Sequence, residues 1–79
     1  MDTANIFEIK KMITKGELTS VRTVHHTGFP GGHELVFSGP DKQVVYIDPQ
    51  SNGQHAHLPE RMNLDKARAI VSRTGLSLD

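Results

Sequence analysis

Residues 34–48 read ELVFSGPDKQVVYID, two runs of strand-forming residues split by a four-residue turn signal. Pro40 presets one backbone angle of that turn, and β-branched and aromatic residues crowd both flanks. The pattern predicts antiparallel strands over 34–38 and 43–48, with Leu35 and Phe37 on one face of the first and Pro49 ending the second. A lone hairpin is marginal in water. The rest of the chain must therefore add strands beside it and cover its apolar face.

The preceding segment supplies a strand. From Glu17 to His26 the residues alternate, with Leu18, Ser20, Arg22 and Val24 on one side and Thr19, Val21 and Thr23 on the other, as a half-buried strand requires. The run TGFPGG at 27–32 breaks it. Two helical patterns flank the strands. In residues 3–15, Ile6, Ile9, Met12 and Ile13 recur at helical spacing while Glu8, Lys11 and Lys15 face away. Asn5 with Glu8 resembles a capping box, and Gly16 stands where a left-handed terminating residue belongs. In residues 63–74, Leu64, Ala67, Ile70, Val71 and Thr74 form a stripe, Gly75 ends it, and Leu76 is positioned to fold back on Val71. Residues 49–60, PQSNGQHAHLPE, read as a surface loop. The expected fold is α+β, a single domain over 1–79. Its order is α-β-β-β-α, with both helices on one face of a three-stranded antiparallel sheet and the other face left to solvent.

With 79 residues and no cysteine, the chain can build one core, held by apolar packing and not by disulfides or thiolate metal sites. That composition suits a reducing, cytoplasmic setting. No charged leader precedes an apolar stretch and no run is long enough to span a bilayer, so neither a signal peptide nor a membrane partner is expected. Nine Lys and Arg balance nine Asp and Glu, so no overall field draws in a polyanion. Arg61, Lys66, Arg68 and Arg73 gather in the last third, interleaved with Glu60 and Asp65.

Histidine is the enriched residue: His25, His26, His33, His55 and His57. The pair at 55 and 57 has metal-like spacing, but a structural zinc site wants four ligands and a catalytic one three. The plainer reading is two exposed loop residues, and no metal or cofactor is expected. His25 and His26 end a strand and so face opposite ways. His33 follows Gly31 and Gly32, which let a backbone or phosphate approach closely, and begins an apolar strand that would hold its ring on a rigid element, as acid–base chemistry requires. The alternative is a loose hairpin connection that happens to end in histidine. No P-loop, nucleophile elbow or shielded carboxylate pair is present.

The stretch GGHELVFSGPDKQVVYIDPQ at 31–50 resembles the glycine-serine-histidine strand, turn and following strand of the HicA family of toxins from bacterial toxin–antitoxin pairs. AIVSRTGLSLD at 69–79 is similar to that family's closing helix and ending, and IFEIKKMITKG to its first helix. Gly32 stands where the family usually has serine, and Glu34 sets a carboxylate beside the histidine. The resemblance implies a fold like a double-stranded-RNA-binding domain and metal-independent cleavage of messenger RNA. His33 would be the general acid or base, with His25 or His26 as a candidate second group, and a HicB-type antitoxin would be the protein partner. Arg22, Lys42, Arg61, Lys66 and Arg68 are then the candidate RNA contacts. The competing reading is a small non-catalytic protein that binds a protein or a nucleic acid, of phage or plasmid type, using a sheet face or edge.

Overall fold

A computed structural model describes residues 2–28, 32–47 and 64–78. The elements run β1 (Asp2–Ala4), α1 (Ile6–Thr14), β2 (Ser20–His26), β3 (Gly32–Ser38), β4 (Gln43–Tyr46) and α2 (Leu64–Ser72). The strands form one mixed sheet in the order β1-β4-β3-β2.

The expected antiparallel trio is there: β2 pairs with β3 and β3 with β4, both antiparallel. The correction is β1, a fourth strand parallel to β4 that matches Asp2 with Val44 and Ala4 with Tyr46. The sheet is therefore mixed and four-stranded, and the order is β-α-β-β-β-α. The first helix does not reach back to Thr3 because Asn5 caps it. Asn5 is extended (φ −85°, ψ 176°) and its side chain accepts a hydrogen bond from the Glu8 N–H, as an N-cap must. With Asn5 outside the helix, residues 2–4 are free to pair, and the Ile47 N–H donates to the Ala4 carbonyl at 2.7 Å.

α1 ends as its glycine requires. Gly16 adopts φ +80°, and the N–H groups of Gly16 and Glu17 donate to the carbonyls of Ile13 and Met12, the paired bonds of a Schellman end. The chain then turns Leu18 into the core before β2 starts at Ser20. Leu18 thus leaves the alternation predicted for it, because it precedes the strand.

Both helices cover the same sheet face. Ile9 of α1 and Ala67 and Val71 of α2 share one cluster with Val21, Leu35, Phe37, Val44 and Tyr46. Burying a side chain such as Leu35 or Phe37 contributes roughly 1.5–3 kcal/mol. The opposite face is not simply left to solvent. Val36 and Val45 sit opposite each other on it and are buried, flanked in register by Arg22 and Thr3. β-branched side chains in adjacent central strands shield one another.

α2 touches the core through its middle and its end, not through its first turn. Ala67 and Val71 are buried and Ile70 packs against them, but Leu64 is 44% exposed and the helix ends at Ser72, so the predicted stripe is too long at both ends, with Thr74 in the turn that follows. Beyond the helix Gly75 takes φ +86°. Leu76 and Leu78 then return to the cluster, and Leu78 forms a parallel bridge with Val21 on the outer edge of β2. The predicted loop at 49–60, and Asp48 and Pro49 at the end of the third predicted strand, lie outside the described residues. Among the described residues no helix is long and apolar enough to cross a membrane.

Candidate histidine site

β2 and β3 pair in a register symmetric about position 29, which sets His25 directly opposite His33. Alternation along each strand puts both on the face that carries Val21, Thr23, Leu35 and Phe37, two residues beyond Thr23 and Leu35. The site is thus the rim of the helix-covered face, where the sheet runs out toward the glycine-rich connection. Burial falls off along this row: Leu35 is fully buried, His33 half-buried and His25 exposed.

The two imidazoles stack, with ring centroids 4.7 Å apart and planes 30° from parallel. An aromatic pair of this kind contributes about 0.5–1.5 kcal/mol beyond burial, enough to restrict both rings. His33 has one further peculiarity. Its Nδ1 is enclosed and has no hydrogen-bond partner among the described residues, although buried polar atoms are ordinarily paired. Nε2 is consequently the His33 nitrogen left to meet a substrate. Among the described residues no carboxylate or carbonyl holds Nδ1, and the stacked ring of His25 is the contact that orients His33 there.

The other candidates fall in different places. His26 is opposite Gly32 in register, one position along from the His25–His33 pair. Glu34 sits opposite Val24 on the far face, which removes its carboxylate from the face of His33. His55 and His57 lie outside the described residues, as does Arg61. Among the described residues no group of three or more His, Cys, Asp or Glu side chains is placed to hold a metal ion.

The proposed RNA contacts are not gathered. Arg22 is exposed on the far face, opposite Val36. Lys42 lies past the other end of β3, level with Gly39 and about 20 Å from His33 along the strand by its rise per residue, and its ammonium is 3.2 Å from the Glu17 carboxylate. Lys66 and Arg68 are exposed on α2, the helix that packs on the histidine face. Of the cations named, these two therefore share a side of the sheet with the stacked pair.

The His25–His33 relationship was within reach of the sequence. His25 has the parity of Val21 and Thr23, and His33 that of Leu35 and Phe37, so common-face placement followed once those pairs were taken as core. What the pattern lacked was the centre of the hairpin. The run TGFPGG can be crossed at several registers, and only one sets the two rings side by side.

Chemically, the rim offers two neighbouring groups that can each take or give a proton, on rigid strands, with a glycine at the entry to β3. No protein-family model, curated protein or solved structure matches this chain.

Proposed function

We propose that this chain is a small metal-independent endoribonuclease of the HicA toxin kind, acting in the cytoplasm on messenger RNA and restrained by a HicB-type antitoxin. The observation that carries the reading is the accessible rim of the sheet, where His33 is fixed on β3 with a second imidazole stacked against it. RNA supplies its own nucleophile in the 2′-hydroxyl, so a protein needs only to move protons and hold the phosphate. His33 would be the acid–base group. Lys66 and Arg68, on the helix that packs on the same face, are the favoured phosphate contacts.

The test is induced expression of the wild type beside His33→Ala, following growth and messenger-RNA integrity together. Growth arrest with RNA loss in the wild type alone supports the reading. Equal toxicity and equal RNA loss in both would sink the assignment of His33.

A second reading is favoured by the dispersal of the cations: Arg22 faces away from the histidines and Lys42 is engaged with Glu17. On that reading the chain is a protein-binding module without catalysis. Heparin separates the two, since an RNA-binding face is retained at low salt and a neutral protein-binding face flows through.

A further inference from the structure

We infer that His25 and His33 divide the two proton transfers of RNA cleavage between them, so that His33 does not act alone. This rests on the ribonuclease reading above. In the reaction the ribose 2′-oxygen attacks the neighbouring phosphorus. The phosphorus–O2′ bond forms as the phosphorus–O5′ bond breaks, the 2′-hydroxyl proton passes to one imidazole, and the departing 5′-oxygen takes a proton from the other. The products are a 2′,3′-cyclic phosphate and a 5′-hydroxyl. No water, metal or redox partner is consumed, and the next turnover needs only that the two rings exchange their protons with solvent.

Three observations lead to the pair. Attack and departure occur roughly in line, on opposite sides of phosphorus, so the two oxygens call for two separate groups. His33 offers one nitrogen only, because its Nδ1 is enclosed. The group beside it is His25, opposite in register and 4.7 Å away centroid to centroid. The nearest carboxylate in sequence, Glu34, is on the other face. Two stacked rings, 30° from parallel and one of them exposed, can meet a single phosphodiester edge-on, one nitrogen to each apical oxygen. His25 is exposed, so it can exchange its proton with solvent between turnovers.

Two substitutions separate chemistry from positioning. His25→Ala removes both the stack and the proton. His25→Phe keeps an aromatic ring against His33 and removes only the proton. Wild type, both His25 variants and His33→Ala are assayed on an RNA oligonucleotide whose cleavage site has been mapped. They are then assayed on the same oligonucleotide with sulfur in place of the bridging 5′-oxygen, a leaving group that departs without a proton. The expected result on normal RNA is a loss of about 10²–10⁴-fold for His25→Phe and for His33→Ala, with cyclic-phosphate ends in the wild type. On the sulfur substrate one of these two positions, and not the other, recovers a near wild-type rate, which identifies the proton donor. Wild-type activity in His25→Phe makes His25 a positioning residue and overturns the inference. Loss at both positions with recovery at neither overturns the division of protons. Absence of any cleavage by the folded wild type removes the ribonuclease reading, and this inference with it.

Discussion

Gly39 lies directly against the main-chain carbonyl of Glu17: a β-carbon at position 39 would overlap that oxygen and come within 2.6 Å of the carbonyl carbon. The contact locks the β3–β4 turn onto the segment that leads into β2. The Thr19 N–H donates to the Ser38 carbonyl at 2.8 Å, and the Gly39 N–H to the Lys42 carbonyl at 2.9 Å. Because the obstacle is backbone held by these bonds, Gly39→Ala should destabilise the fold by about 1–3 kcal/mol. For a domain of this size that is a fall in melting temperature of roughly 4–8 °C per kcal/mol, readable by circular dichroism. Gly28, whose added β-carbon meets nothing within 4 Å, is the control and should tolerate alanine.

His33→Phe should separate stability from function. The substitution keeps a ring to stack on His25 and removes a buried nitrogen that has no partner among the described residues. Eliminating an unsatisfied polar atom without changing shape much is neutral to stabilising. The melting temperature should hold or rise, by an amount worth up to about 1 kcal/mol, while RNA cleavage is lost. A fall in melting temperature of several degrees would mean that Nδ1 is paired in solution.

The two ends of the α2 stripe should respond differently. Ala67 is fully buried against the sheet cluster, whereas Leu64 is largely exposed. Ala67→Leu should overpack the core and cost about 1–3 kcal/mol. Leu64→Ser should stay within about 0.5 kcal/mol of wild type. Chemical denaturation of the two variants checks this, and equal sensitivity at both positions would restore the longer stripe that the sequence suggests.

Among the cations, Arg68 and Arg22 make the informative pair. Both are exposed, but Arg68 is on the helix packed against the histidine face and Arg22 is on the far face. On the proposed RNA reading, Arg68→Ala should weaken binding at every sequence and reduce the slope of log affinity against log salt by about 1. Arg22→Ala should leave that slope unchanged. Fluorescence anisotropy over a salt series tests both, and the reverse pattern would move the RNA to the other side of the sheet.

Much of the fold was legible because it is local. Asn5 with Glu8, Gly16 and the Gly-Pro-Asp-Lys turn are each short-range signals, and each marks the element boundary that it predicts, whereas α2 ends at Ser72, short of the Gly75 stop. β1 was not legible. Three residues carry no periodicity, and their partners, Val44 to Tyr46, are distant in sequence and parallel, so no turn signal announces the pairing. Leu64 misled for a different reason: helical spacing says which face a residue is on, but not how far along the helix the sheet extends. The histidine site was half legible. His33 stood out by its glycines, whereas its partnership with His25 depends on register, which is a property of two strands and not of either alone.

The parallel pairing of Asp2 with Val44 also bears on the order of folding. The hairpins of β2, β3 and β4 close over short connections, but β1 joins β4 only after a loop spanning the first half of the chain has been drawn shut, which is the costlier closure. β1 should therefore dock last and open first, at a free energy below that of global unfolding. Amide hydrogens in the β1–β4 ladder should accordingly exchange with solvent sooner than those between β2 and β3. During each such opening the outer side of β4 becomes an unpaired strand edge, a second surface for strand addition beside the outer edge of β2, which carries the single bridge to Leu78.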